Sequence, residues 1–342
     1  MTRRRLTEYS HGAGCGCKLA PAALASILQR VPAGSAPDLL LGTGDDAAVW
    51  RVDDDRAFVA TVDVITPIVD DAVTWGHVAA TNAASDVYAM GGRPLFGLNV
   101  VCWNAGELGD DLLVEVLTGA RDAAGAEDWV IVGGHTVDDP QPKFGVAVVG
   151  EVRIDELMTK DGLRPGQALV LTKAIGVGTV ATALKAGAAG EDAVAAAVAS
   201  MQRSNAAAAR VAVGAGARGA TDVTGFGLLG HLRSLAETAG ADVALEVDAV
   251  PVLPGARDLI AAGHVPGGTR RNLRWVNELV DRGGAGDDTM ALLADPQTSG
   301  GLLFGVDPDR AGQAVAALQA EGHPAAVVGA ALAPGTGRIR LR

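Results

Sequence analysis

Cysteine is scarce in this chain: Cys15, Cys17 and Cys102 are its three cysteines among 342 residues. That excludes a disulfide framework, and a bridge between Cys15 and Cys17 would close a strained ring, so reduced thiols are expected. Aromatic residues are few as well, five Trp, five Phe and two Tyr, which leaves no stock of stacking platforms for single-stranded nucleic acid. Positive charge is in the minority. With 28 Lys and Arg against 40 Asp and Glu the formal net charge is −12, which repels polyanions and excludes a general nucleic-acid binder. No apolar run is long enough to span a bilayer, and the basic opening MTRRR leads into polar, glycine-rich sequence. A cytoplasmic location is expected. Two nucleotide signatures are also missing: no GxxxxGK[ST], which excludes an ordinary P-loop, and no GxGxxG after a strand.

What is present suffices for two domains, since 49% of the residues are hydrophobic and core burial is not limiting. LAPAALASILQRV reads as a short helix, AAVWRV and RAFVATVDVITPIV as strands, and TWGHVAATNAASDVYAMGG as a helix stopped by Gly91 and Gly92. PLFGLNVVCW, WVIVGG and FGVAVVGEVRI continue as strands, with a helical stretch ELGDDLLVEVLTGARDAAG between the first two. DELMTKDGLRPGQ reads as a connection, and the domain boundary falls there. The second half opens with the strand ALVLTKAIGVG, continues through an alanine-rich helical stretch over 190–212, and closes on a strand–helix–strand run ending in IRLR. Strands and helices do not alternate cleanly, so the expected class is α+β, with helices packed on mainly antiparallel sheets. The Asp-Val pairs at Asp86 and Asp222 hint at a duplicated unit. The expected division is a glycine-rich catalytic loop region over 1–20, an N-terminal domain over 21–155 and a C-terminal domain over 156–342.

HGAGCGCK, residues 11–18, places two of the three cysteines and Lys18 in a run with Gly12, Gly14 and Gly16. So many glycines give too little apolar surface for a core element and predict a mobile, exposed loop. On such a loop a nearby ammonium would favour the Cys15 thiolate. Disorder of an N-terminal segment is the plain alternative, and Cys17 reads as a spectator. A zinc site on Cys15 and Cys17 lacks the further Cys pair needed to complete four ligands. Several carboxylates border glycine turns or interrupt apolar segments: Asp45 and Asp46 after GTG, Asp63 within TVDVI, Asp86 within a mostly apolar helix, and Asp222 before TGFG. Singly each reads as a surface residue or cap. Together they suit Mg²⁺, which takes a few carboxylates while substrate phosphates complete its shell. Gly133, Gly134, His135 and Thr136 read as a turn whose amides approach an anion closely. His11 is a candidate proton carrier, whereas His231 on a probable helix reads as structural.

The segments YSHGAGCGCK, GDDAAV, TVDVITPIVDD, ATNAASDVYAMGG, GGHTVDDPQPKFGVAVVG, LTKAIGVG, TDVTGFGLLGHL, VPGGTRRN and DPQTSGGLL, in this order over nearly the whole chain, resemble the selenophosphate synthetase family. That family lies within the aminoimidazole ribonucleotide synthetase-like superfamily. The resemblance implies a selenide, water dikinase: ATP, selenide and water give selenophosphate, AMP and orthophosphate, supplying activated selenium for selenocysteine and selenouridine synthesis. It implies Cys15 at the reactive position, Lys18 as the essential lysine, and ATP contacts at Lys18, Thr43, Gly44, Asp45, Asp63 and Asp86. Gly134, His135 and Thr136 match a nucleotide-contacting turn supplied by the other subunit of a homodimer. Asp46, Asp86 and Asp222 match the magnesium ligands, and potassium is implied as a further cation. Gly44 stands where relatives can carry a larger polar or basic side chain, so a backbone contact is what carries over. Other ATP-dependent members of the superfamily, a purine-pathway cyclo-ligase or a thiamine-phosphate kinase, would share the acids but not the HGAGCGCK loop. A catalytically silent homologue would be expected to lack Cys15, Lys18 or the aspartates, and all are present.

Overall fold

Alternation of side chains along RAFVATVDVI buries Ala57 and Val59 on one face and turns Phe58, Ala60 and Val62 to the other, which marks a strand covered on one side only. The computed structural model describes residues 5–10, 12–19 and 21–342. His11 lies outside them, as does the side chain of Cys17. The first half runs α1 (Pro21–Leu28), β1 (Leu39–Leu41), β2 (Ala48–Arg51), β3 (Arg56–Ile65), α2 (Ala72–Ala89), β4 (Arg93–Trp103), α3 (Asp110–Ala126), β5 (Val130–Asp138) and β6 (Lys143–Arg153). Its sheet has the order β1-β2-β3-β6-β4-β5 and is antiparallel except between β4 and β5, which α3 connects.

Helix α2 is the axis of the molecule. Asp71 caps it by accepting the Thr74 amide at 2.8 Å, and Gly91, at φ +77°, follows its end. It packs closely on α3 because two glycines leave room: a Cβ at Gly76 would lie 1.9 Å from the Val116 carbonyl oxygen, and one at Gly119 1.9 Å from that of Val73. Below it Trp75 stacks on Trp103 with centroids 6.5 Å apart, and Phe144 meets Trp75 edge-on.

The second half runs β7 (Ala168–Leu171), α4 (Val177–Lys185), α5 (Glu191–Gln202), α6 (Ala206–Gly214), β8 (Gly219–Asp222), α7 (Gly227–Ala239), β9 (Ala241–Leu245), α8 (Ala256–Ala261), α9 (Gly267–Val276), β10 (Val280–Asp281), α10 (Asp287–Leu293), β11 (Leu302–Val306), α11 (Pro308–Ala320), β12 (Ala326–Pro334) and β13 (Ile339–Leu341). Its sheet, β10-β13-β9-β12-β7-β11-β8, is parallel only where β13 pairs with β10 and β9. The α+β class with mainly antiparallel sheets is therefore found. Among the described residues no helix is long and apolar enough to cross a membrane.

Three expectations are corrected. The alanine-rich stretch is two helices, α5 and α6, because Asn205 between them turns its amide to Ser85 Oγ at 2.9 Å and to the Gly300 carbonyl at 2.8 Å. Gly133, Gly134, His135 and Thr136 form no turn; they lie within β5 at the sheet edge, and Gly134 is needed there because a Cβ would meet Asn99 O at 2.2 Å. The two Asp-Val pairs are not equivalent, since Asp86 stands on α2 and Asp222 ends β8.

Candidate active site

One face of α2 presents Asn82, Ser85 and Asp86, spaced three and four residues apart, toward β3 and the second half. Each side chain finds a partner there. Asn82 Nδ2 donates to Asp63 Oδ2 at 2.7 Å, Thr61 Oγ1 donates to Asp86 Oδ2 at 2.5 Å, and Ser85 Oγ donates to Asp222 Oδ2 at 2.7 Å. The compensation that a carboxylate in an apolar strand needs at Asp63 comes from Asn82 and from Lys18, whose Nζ donates to Asp63 Oδ1 at 2.8 Å.

The glycine-rich loop is docked, not free. Gly14 pairs with Thr66, the Cys15 amide donates to Thr298 Oγ1 at 3.0 Å, and Arg271 Nη2 donates to Gly16 O at 2.8 Å. Gly14 has φ +53° and lies so close to Thr298 that a Cβ would come within 2.2 Å of its hydroxyl oxygen. Cys15 is 1% exposed, and its thiol donates to Asn82 Oδ1 at 3.3 Å. The expectation of an exposed Cys15 with a favoured thiolate is corrected in this arrangement: burial pushes the thiol up to about 12, with Lys18 opposing and Asp63 adding to the rise. Lys18 in turn is held charged: burial works against its ammonium, but Asp63, and more weakly Asp86, outweigh that desolvation.

Asp46 stands across the site on the segment between β1 and β2. It accepts from Thr221 Oγ1 at 3.1 Å and lies 2.5 Å from Lys160 Nζ, while the Lys160 amide donates to Asp45 Oδ2 at 3.1 Å. Lys160, which makes buried ion contacts with both aspartates, is not singled out by the sequence. It lay in a stretch read as a connection, and no local signal distinguishes it from a solvated lysine. Thr43 and Gly44 are exposed beside this pair. Burial and the neighbouring Asp46 raise Asp45. Burial lifts Asp222 to about 7, with Asp46 adding to it, and lifts Asp86 well above the carboxylate range, with Asp222, Asp63 and Asp46 contributing. The acids thus repel one another in a dry site.

Among the described residues, no three His, Cys, Asp or Glu side chains are grouped closely enough to hold a metal ion. The residues nonetheless fit a hard divalent cation: Asp46 Oδ2 is buried without a hydrogen-bond partner, and the surrounding donors are carboxylate oxygens. Gly134, His135 and Thr136 are exposed on β5. His231 is buried, takes the Thr224 amide on Nε2 at 3.1 Å and stacks on Phe226; burial holds its pKa well below the usual value.

Two sheet-based halves with acids gathered at their junction define an AIR synthase-type protein. Residues 44–152 match the AIR synthase related protein N-terminal domain, and residues 164–342 the corresponding C-terminal domain. The chain is 42% identical over 319 residues to a selenide, water dikinase of Shewanella sp. (strain MR-7), covering 92% of this chain and 90% of that one. It is 44% identical over 330 residues to one from Porphyromonas gingivalis, covering 95% and 94%. The chain belongs to the selenide, water dikinase family. In fold it is similar to a thiamine-monophosphate kinase from Stenotrophomonas maltophilia, with TM-score 0.65, 20% identity and coverage of 95% and 96%.

Proposed function

We propose that this chain catalyses the selenide, water dikinase reaction, in which ATP, selenide and water give selenophosphate, AMP and orthophosphate. The observation that carries the reading is the chain of contacts from Cys15 through Asn82 and Asp63 to Lys18, set beside Asp46, Asp86 and Asp222. A chalcogen-handling thiol and a phosphoryl-neutralising ammonium then face a carboxylate site suited to a metal–nucleotide.

In this reading Asp46, Asp86 and Asp222 hold Mg²⁺, which supplies charge neutralisation of the polyphosphate. Thr43, Gly44, Asp45, Asp63 and Asp86 contact ATP, with potassium as a further cation. Cys15 receives or positions hydroselenide, and Lys18 stabilises charge on the transferring phosphoryl group. The buried neutral thiol fits a resting closed loop, so movement of the loop is part of the cycle. Gly134, His135 and Thr136 reach the nucleotide of a second copy. The outward apolar face of the first sheet, with Trp50, Phe58, Val62, Phe96 and Leu98, supports a homodimer through that face. The enzyme is placed in the cytoplasm.

The test is anaerobic phosphorus NMR of the protein with ATP, Mg²⁺, K⁺ and selenide, beside a selenide-free control and Cys15→Ser. Selenophosphate, AMP and orthophosphate are expected together, with selenophosphate lost in the variant. ATP turnover that leaves selenide unphosphorylated would overturn the reading.

A further inference from the structure

The docked loop has a second side that the proposed chemistry leaves unused. A cavity of about 770 Å³ opens between Gly12, Ala13 and Gly16 of the loop, helix α4 and the start of α9, a size typical of small-ligand sites. Lys18, Lys185 and Arg271 line it, and among the described residues no Asp or Glu does. In a chain of net charge −12 that segregation needs a reason.

The three cations are differently engaged. Lys18 is shared with Asp63, whereas Arg271 donates to Gly16 O at 2.8 Å and Lys185 Nζ donates to Ser10 O. The last two partners are carbonyls, which orient the cations without cancelling their charge. The neighbouring carboxylate, Asp295, is turned away: it is fully buried and accepts from Gly178 N, Thr179 Oγ1 and Gln297 Nε2 at 2.8–2.9 Å. The wall beneath Arg271 is closely built. A Cβ on Gly268 would lie 2.7 Å from Pro296 Cγ, so glycine lets this wall close against Pro296, with Arg271 Nη2 in ordinary contact distance at 3.7 Å. Among the described residues no aromatic ring lines the cavity to stack a base, which argues for a small anion over a nucleotide.

We propose that this cavity binds a small phosphorus oxyanion, the class to which both phosphorylated inorganic products of the dikinase reading belong, and so rests on that reading. Lys185 and Arg271 receive the anion, and Lys18 links the cavity to the reacting site through the loop that separates them.

The test is equilibrium titration of the full-length protein by phosphorus NMR, with inorganic phosphate in one arm and thiophosphate, the stable sulfur analogue of selenophosphate, in the other. Divalent metal is omitted so that the carboxylate site repels both probes. Saturable binding is expected, weakened about tenfold or more by Arg271→Gln and by Ala186→Glu, which adds a like-signed charge at the cavity rim. Ala186 is exposed and touches neither loop-holding hydrogen bond, so a merely structural role for Arg271 would leave Ala186→Glu binding unchanged. Preference for thiophosphate assigns the cavity to the chalcogen product, and preference for phosphate to orthophosphate. No saturable binding, or wild-type affinity in Ala186→Glu, overturns the site. Selenide-dependent AMP formation, measured on the same preparations after ATP, Mg²⁺, K⁺ and selenide are added, separates the two readings: its presence without anion binding refutes only the cavity, and its absence with anion binding refutes only the dikinase activity.

Discussion

Lys18 Nζ sits 2.8 Å from Asp63 Oδ1, so the ammonium of the glycine-rich loop is anchored on the first sheet. The other oxygen of Asp63 takes the amide of Asn82, whose own oxygen accepts from the Cys15 thiol and from the Ser299 amide at 2.7 Å. Loop, sheet, helix α2 and the DPQTSGG segment therefore meet through two polar side chains. Asp63→Asn removes the charge that holds Lys18. Selenide-dependent AMP formation is expected to fall by about 10²–10³, the usual effect of losing a positioned electrostatic group. Tryptic cleavage after Lys18 should quicken in parallel. Unchanged cleavage and turnover would show that the pair does not hold the loop.

The Cys15 thiol, raised to about 12 by burial, is neutral at pH 8. Alkylation needs the thiolate, so Cys15 in the folded protein should react with iodoacetamide about 10³-fold more slowly than in the urea-unfolded chain. The sign of the linkage follows. A raised pKa favours the closed packing while the thiol is protonated, and that contribution is lost as pH rises from 9 toward 12. Mass spectrometry of Cys15 adducts against pH measures this directly, and equal rates in folded and unfolded protein would contradict the buried placement.

Much of this was legible in the sequence because the signals were local. The alternation in RAFVATVDVI, the stop at Gly91 and Gly92, and the isolated carboxylates at Asp63, Asp86 and Asp222 all speak through neighbouring residues. What was not legible depends on partners distant in sequence. Cys15 looked exposed because Gly12, Gly14 and Gly16 suggest a loose loop, whereas close fits at Thr298, and at Gly225, where a Cβ would meet Cys15 O at 2.8 Å, press it inward. GGHT looked like a turn because glycine is a poor strand former, yet Gly134 is present for the close approach of Asn99 on β4. Lys160 carried no signal until Asp45 and Asp46 were brought to it.

Lys160 lies 2.5 Å from Asp46 Oδ1, and both side chains are nearly buried at 7% and 6% exposure. Burial works against its charge, but Asp46 and Asp45 outweigh that and hold it protonated. Lys160→Met leaves the acids uncompensated and is expected to cost about 3–5 kcal/mol in urea unfolding. Added Mg²⁺ should restore part of that stability, since a ligand bound only by the folded state stabilises it. Asp46→Asn should abolish the magnesium response of the wild-type protein. A response retained in Asp46→Asn would remove Asp46 from the proposed ligand set.

Lys173 is buried and donates to the carbonyls of Ser299 at 2.8 Å and Arg203 at 2.5 Å, which ties the segment behind Cys15 to the residue that follows α5. Burial, with Arg203 adding to it, lowers this amine to about 7. A depressed folded-state pKa contributes stability that is complete above the ordinary lysine value and is lost as pH falls through 7. The penalty of Lys173→Met in urea unfolding should therefore be larger at pH 9 than at pH 6. The opposite slope would mean that the ammonium form is preferred in place.

The outer face of the first sheet makes the last prediction. Val62, Ala147 and Leu98 lie side by side across β3, β6 and β4, and Val62 and Leu98 are 58% and 43% exposed. Burying such a side chain contributes about 1.5–3 kcal/mol, so a row of them left in water favours covering by a matching surface. The alternative, a sheet face that simply tolerates solvent, would place charged residues there, as antiparallel sheets with one wet face do. Leu98→Arg puts a charge at the middle of the row and removes no contact inside the subunit's carboxylate site. Light scattering should find the wild type as a dimer and Leu98→Arg as a folded monomer with unchanged circular dichroism. If Gly134, His135 and Thr136 serve the partner's nucleotide, the monomer should also lose ATP turnover by at least tenfold, and mixing it with an inactive Asp63→Asn chain should not restore it. A fully active monomer would place the nucleotide contacts within one chain and leave the edge of β5 without a catalytic role.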